Sequence, residues 1–342
     1  MKVFLEVEIR RIKCKSNDKI RQEVFNWMAD NPAYAKRFVY YVGKRCQSSS
    51  IKAVADEVDL DWKTVKEFEK EYMKEKLKNR GEITPEALGI DEISIQKGHT
   101  YRIVVSDLKN KLPIWIGGNG RTEKDMQMFY DWLGKEKCGN IKLAVMDMWK
   151  AFEKSAKKNI PDSSILYDKF HILRHLGKAL EKIRISEYKK VSEDNRKFMK
   201  GQKYTLLSKQ ENLNAKGKEA LKKLFAINEK LSKAYILKES FGQLWSYKSE
   251  VWARKFFENW KETAESEGLK SFVKFTKLIE RHWDGIATYC KKENKVSLGF
   301  VEGFNNKIRV IQRRAYGLKD EEYFRLKVLT CMLPELNLNL PT

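Results

Sequence analysis

Residues 87–118 read ALGIDEISIQKGHTYRIVVSDLKNKLPIWIGG. Three short apolar runs, ALGIDEISI, TYRIVVSDL and KLPIWIGG, are divided by Lys97-Gly98 and by Lys109-Asn110-Lys111. Runs of that length between turn residues predict three adjacent strands in an antiparallel meander. The following loop, GGNGRTEKD, is rich in glycine but lacks the P-loop lysine and the dinucleotide spacing, so a phosphate cradle is not expected there. Thr122 with Asp125 three residues on predicts a helix cap instead, and Met126, Phe129, Tyr130 and Leu133 give that helix a buried stripe. IKLAVMD, residues 141–147, is a nearly continuous apolar strand of the kind covered on both faces.

A helix from Trp149 follows, and Pro161 precedes a further strand, SSILYD, that ends at Asp168. The order β-β-β-α-β-α-β predicts a mixed α/β fold with an RNase H-like core, in which three antiparallel strands are extended by parallel ones under helices. Residues 185–292 have a different texture, with one lysine-rich helical pattern after another and no strand. Phe241 with Trp245, and Trp252 with Phe256 and Trp260, recur at helical spacing and are assigned to a helical core.

On the N-terminal side, residues 74–86 carry Gly81 and Pro85 and read as a linker. SSSIKAVADEVDLDWKTVKEFEKEYM, residues 48–73, carries Ser50 as a helix cap, an apolar face of Ile51, Val54, Ala55 and Val58, and a turn at Asp59-Leu60. A second helix starting near Asp61 buries Val65, Phe68 and Tyr72. Two short helices around a tight turn, behind a longer helix, fit a helix-turn-helix that presents Trp62, Lys63, Thr64 and Lys66 to DNA; an ordinary helical hairpin fits the same pattern. Residues 16–46 read as helical, with a start at Asn31-Pro32. Val3, Leu5, Val7 and Ile9 alternate with mostly charged positions and predict a short strand.

With 42% hydrophobic residues the chain can bury a core, and 69 Lys and Arg against 47 Asp and Glu leave a net charge of +22. That excess favours a polyanionic partner, nucleic acid before an acidic membrane, since neither a basic amphipathic anchor nor a lipidation signal is present. No apolar run approaches the roughly 20 residues that span a bilayer. Glu6 and Glu8 stand where a signal peptide would be apolar, so a cytoplasmic protein is expected. Cys14, Cys46, Cys138, Cys290 and Cys331 form no C-x-x-C pair, which excludes an all-cysteine zinc ribbon and gives no disulfide framework.

Asp91 in the first core strand and Asp147 at the end of a later one are acids in apolar strands, expensive to bury unless a cation compensates them. Glu302 lies in SLGFVEGFNNKIRVIQRRAYG, where Phe300, Phe304, Ile308 and Ile311 share one helical face and Glu302, Asn306 and Arg309 the other. Periodicity alone makes Glu302 a solvated glutamate. In order along the chain, LGIDEISIQKGHTYRIVVSD, AVMDMWKAFEKS, YDKFHILRHLGKALEKIR and GFVEGFNNKIRVIQRRAYG resemble bacterial insertion-sequence transposases of the ISL-three family. WARKFFENW and LIERHWDGIATY, and the helix-turn-helix segment, extend the likeness over nearly the whole chain.

The resemblance implies a DDE transposase, with Asp91, Asp147 and Glu302 at the three acid positions as catalytic and metal-binding residues. Residues 1–30 then correspond to a strand and helix segment where family members carry a zinc module of paired cysteines; only Cys14 is present, so that module is either truncated or lost, with this segment as its candidate remnant. Residues 31–80 are the helix-turn-helix, 86–184 the first part of the RNase H-like core, 185–292 a helical insertion and 293–330 the last core helix. Three carboxylates suit two magnesium ions, or manganese as a substitute, about 4 Å apart, with Asp91 shared and Asp147 and Glu302 each on one ion. Water would nick the element's end and the freed 3′-hydroxyl would attack target DNA.

Glu92, Asp168 and His171 are candidate supporting residues; Asp168 and His171 fit capping and packing equally well. His171 and His175 share a helical face, but HILRH lacks a metalloprotease glutamate. Asn305, Asn306, Lys307 and Arg309 are candidate phosphate contacts beside Glu302. The partners implied are the terminal inverted repeats and target DNA at the nucleoid, with a homodimer or larger assembly pairing two ends. A nuclease or resolvase that cuts without joining, and a DNA-binding descendant without catalysis, are the alternative readings.

Overall fold

The computed structural model describes residues 3–17, 19–23, 25–96, 100–291, 294, 299–315 and 319–336. They fall into two compact units, one formed by the chain up to Glu82 and from Lys307 onward, the other by Ile83–Asn306. Residues 3–10 form no strand, and Val3, Phe4 and Leu5 are exposed. Alternation without a neighbouring strand leaves the backbone unpaired, so the pattern alone could not hold. Pairing begins at β1 (Arg11–Lys13), antiparallel to β2 (Ile20–Gln22).

The helical reading of residues 16–46 narrows to α1 (Lys36–Ser48). Asn31 Oδ1 accepts from the Ala33 amide at 3.1 Å, so Asn31-Pro32 forms a turn and the helix starts beyond it. α2 (Ile51–Val58) is capped by Ser50, as expected, and α3 (Trp62–Lys78) starts where expected, capped by Asp61. The turn between them needs no glycine because Asp59 itself takes the left-handed conformation, φ 55°. Val39, Val54, Val65, Phe68 and Tyr72 form the core of this helix-turn-helix. A Cβ on Gly43 would overlap Tyr72, so glycine there lets α1 and α3 pack closely.

In the second unit, β3 (Ala87–Gln96), β4 (Thr100–Asp107) and β5 (Leu112–Gly117) make the expected antiparallel meander. α4 (Glu123–Leu133) begins with a complete Thr122–Asp125 capping box and buries the four residues of its predicted stripe. After the one-turn α5 (Lys135–Cys138), β6 (Leu143–Met146) pairs parallel to β3. α6 (Lys150–Asn159) then leads to β7 (Ser164–Tyr167), parallel to β6, which completes a five-stranded sheet of order β5-β4-β3-β6-β7. All of β6 is buried: Ala144 and Met146 join the core under α4 and α6, while Leu143 and Val145 pack with Leu108, Leu166, Tyr289 and Val301.

α7 (Lys169–Tyr188) leaves the sheet, and α8 (Glu193–Gly201), α9 (Lys203–Leu207), α10 (Ala215–Ile227), α11 (Glu229–Phe241), α12 (Glu250–Ser266), α13 (Lys270–Arg281) and α14 (Trp283–Ala287) follow without a strand among the described residues. Phe241 and Trp260 are core residues and meet edge to face at 5.1 Å. Trp252 is not: it is 59% exposed, because α12 turns Ala253, Phe257 and Trp260 inward instead. No described helix is long and apolar enough to cross a membrane.

α15 (Gly299–Arg314) begins in this unit, and the boundary falls within it, between Asn306 and Lys307. α16 (Glu321–Thr330) packs Tyr323 and Leu326 against Met73 of α3. The reason lies in Glu69, buried on α3, which accepts from Lys327 Nζ at 2.8 Å and from the Tyr323 hydroxyl. Burial pushes the Glu69 carboxyl above the usual range, against the pull of Lys327 and Tyr323. Lys327→Met strands that carboxylate and is expected to destabilise this unit by about 3 kcal/mol, with Glu69→Gln in the same chain recovering most of the loss. Because the folded-state pKa of Glu69 is raised, the single variant's deficit should grow as pH rises through it and shrink toward acid pH, which denaturant unfolding at several pH values checks.

Candidate active site

The register places three acids in one row. Gly89 pairs with Val145, and Met146 with Tyr167. Carried forward along the strands, those pairings set Asp91, midway along β3, beside Asp147 and Asp168, which directly follow the carboxyl ends of β6 and β7, where open α/β sheets bind ligands.

His171, in the first turn of α7, stands between two of them. Its Nδ1 is 3.0 Å from Asp147 Oδ2 and its Nε2 is 3.9 Å from Asp91 Oδ1. Asp147 Oδ1 also accepts from the Met148 amide at 2.6 Å, and Asp91 Oδ1 from the Glu92 amide at 2.8 Å. Burial pushes the Asp91 carboxyl up, with His171 only partly opposing it. Burial acts in the same sense on Asp147, but there the hydrogen bond and charge of His171 prevail and hold it low. For His171 itself burial disfavours the charged ring, yet Asp147 and Asp91 outweigh burial and raise it. Asp168 is raised by burial, and its side chain caps α7 through the Phe170 amide at 2.8 Å, so capping and membership of the row coexist. Burial lowers His175, and among the described residues no three His, Cys, Asp or Glu side chains form a ready metal cluster.

α15 reaches the same row through a residue given a different part by the sequence reading. Asn305 is 9% exposed, and its Nδ2 donates to Asp91 Oδ2. Its Oδ1 is buried with no hydrogen-bond partner among the described residues. The buried side of α15 is Val301, Phe304, Asn305 and Ile308, one residue rotated from the apolar face read from periodicity. A Cβ on Gly89, two residues before Asp91, would come within 2.7 Å of Leu108 and 3.1 Å of Val301, so the glycine lets the helix lie close on β3. Glu302 is exposed, one turn before Asn305, where helical neighbours have Cβ atoms about 5–6 Å apart.

Glu92 turns away to Arg121, 2.9 Å from it, in the glycine-rich loop that the sequence reading set aside. The Arg121 guanidinium lies between the rings of Tyr101 and Trp149, at 4.4 and 4.5 Å, and its carbonyl accepts from the Trp149 indole at 2.7 Å. This clamp ties β3 to the turn that carries Asp147. Its only sequence signal was an arginine in a capped loop.

The DNA-contact candidates separate. Trp62 is 49% exposed with Lys63 beside its ring, and Thr64 is half-buried. Lys66 is held by Asp320 at 2.6 Å. Asn305 faces Asp91 rather than solvent, Asn306 and Arg309 are exposed, and Lys307 Nζ donates to the Cys331 carbonyl at 2.6 Å.

Against this geometry, residues 88–328 match a family model described as a transposase, and residues 25–69 match the helix-turn-helix domain of transposase family ISL3. The transposase for insertion sequence element IS1001 of Bordetella parapertussis is 31% identical over 96% of this chain and 80% of its own length. The transposase for insertion sequence element IS1557 of Mycobacterium tuberculosis is 23% identical over 94% and 77%. The chain therefore belongs to the ISL3 family of insertion-sequence transposases, with a DDE transposase domain and a helix-turn-helix.

Proposed function

We propose that the chain cleaves DNA at the ends of an insertion sequence and joins them to target DNA by metal-dependent phosphoryl transfer, with Asp91, Asp147 and Glu302 as the catalytic acids. The observation that carries this reading is the pair Asp91 and Asp147, joined through His171, beside a helix that bears Glu302 one turn from the residue bonded to Asp91. The five-strand order supports an RNase H-like core over residues 86–184, interrupted by the helical block 185–292 and resumed at residue 293. The net charge of +22 and the exposed start of α3 support duplex DNA as partner: terminal repeats bound by residues 31–80, and a target at the nucleoid. Capture of two ends calls for a dimer or larger assembly.

The donors present fit a hard divalent cation. They are carboxylate oxygens, and Asp91 is buried with a neighbouring histidine as its main counter-charge. Magnesium, with manganese as substitute, would be held by Asp91, Asp147 and Glu302 and would neutralise charge on the phosphodiester undergoing in-line displacement. Around it the chain's own groups have defined tasks. His171 keeps Asp147 oriented through Nδ1, Asn305 holds Asp91 through Nδ2, and the Arg121 clamp fixes the turn after β6. Water first opens the strand, and the 3′-hydroxyl so released attacks the target phosphodiester at the same acids.

Incubation with the element's end DNA, with and without magnesium, followed by resolution of nicked and joined products, tests the reading. Asp147→Asn should abolish both products while duplex binding is unchanged; normal cutting by that variant removes Asp147 from the mechanism. Asn305→Leu breaks a hydrogen bond to a charged acceptor, worth about 1.5–3 kcal/mol, and should slow nicking at least about tenfold. Nicking at the wild-type rate would rule out a role for Asn305 in holding Asp91.

A further inference from the structure

The unit built on α1–α3 contains a solvent-open cleft of about 520 Å³. One wall is the helix-turn-helix, from the end of α1 to Trp62 and Lys66 on α3; the other is the last turn of α15 and the first of α16. Its charged lining is Lys52, Lys66, Arg314, Lys319, Lys327 and one acid, Asp320. Lys66 is paired with Asp320 at 2.6 Å and Lys327 with Glu69 at 2.8 Å. Lys52 meets Asp56 in an exposed pair of the kind that exchanges readily with solvent. Arg314 and Lys319 have no acidic partner among the described residues. Arg314 is oriented by a bond from Nη1 to the Gln47 carbonyl, 3.4 Å, at the end of α1, which uses one of its donors and leaves its charge unneutralised.

We propose that Arg314 and Lys319 contact phosphates of the duplex read by α3, so that the DNA-binding surface combines the helix-turn-helix with the segment following the third acid. The proposal rests on the transposase reading above and adds two phosphate-binding residues outside residues 25–69, the helix-turn-helix match. Charge complementarity identifies the occupant. Two unneutralised cations line the same cleft as the exposed Trp62, across from the wall that carries the helix expected to enter a groove. Asp320 acts as a built-in brake. It caps α16 through the Tyr323 amide at 3.0 Å and holds Lys66, and more distantly Lys70 at 3.9 Å, away from phosphate.

The test is fluorescence anisotropy of the full chain on a labelled duplex of mixed sequence, titrated across a range of salt concentrations. Each phosphate contact contributes about 0.9 to the slope of log K against log salt. Arg314→Gln and Lys319→Gln should each reduce the slope by about 1, like Lys63→Gln on α3, while Arg314→Lys keeps the wild-type slope. Asp320→Asn retains a capping side chain and releases Lys66, so its slope should steepen by about 1. Thermal melting by circular dichroism identifies any variant whose fold is altered, and the two charge-preserving or cap-preserving variants then decide. If Lys63→Gln lowers the slope while Arg314→Gln, Lys319→Gln and Asp320→Asn all leave it unchanged, the proposal is overturned and the transposase reading stands. If the wild type shows no salt-dependent duplex binding, both are overturned.

Discussion

Carboxylates side by side on adjacent parallel strands cannot be buried together without a counter-charge. Two like charges a few ångströms apart repel strongly once water is removed, and each also loses its hydration. The sheet builds that situation from its register, since the pairings of β3, β6 and β7 bring Asp91, Asp147 and Asp168 into one row. Backbone amides and His171 satisfy part of it, unequally: Asp147 is held low by the histidine, while Asp91 and Asp168 stay raised by burial. In the proposed function a hard cation meets the residual deficit around Asp91, the carboxylate to which Asn305 donates.

The frame that holds the row was largely legible in the amino-acid sequence. Apolar runs between turn residues marked the meander, the unbroken run in β6 marked a strand covered on both faces, and Thr122–Asp125 marked the start of α4. Local chemistry decides each of these. The failures occurred where distant partners decide. Residues 3–9 alternate like a strand but form none, and the stretch before α1 is interrupted by the turn at Asn31. Trp252 repeats at helical spacing, yet α12 turns another face inward.

At the site the same division applies. Asp91 and Asp147 could be singled out because acids in apolar strands are costly, whereas Glu302 came from resemblance, and its exposed position explains why periodicity gave no sign of it. Asn305 was read as a phosphate contact because a face estimated at 100° per residue is ambiguous by one position. In the folded chain Val301 packs close to Gly89, and it is Asn305 that donates to Asp91. Arg121 was passed over because its role depends on Glu92, Tyr101 and Trp149, three residues remote from it or from one another in the chain.

The central claim is that Asp91, Asp147 and Glu302 grip one shared cation site. Iron-directed cleavage addresses it most directly: Fe2+ replaces magnesium, ascorbate and peroxide generate hydroxyl radicals at the bound ion, and the peptide fragments are mapped by mass spectrometry. Cuts near all three residues, suppressed by excess Mg2+ and absent from Asp147→Asn, are expected. Cuts confined to the neighbourhood of one acid, or clustered away from all three, would contradict it.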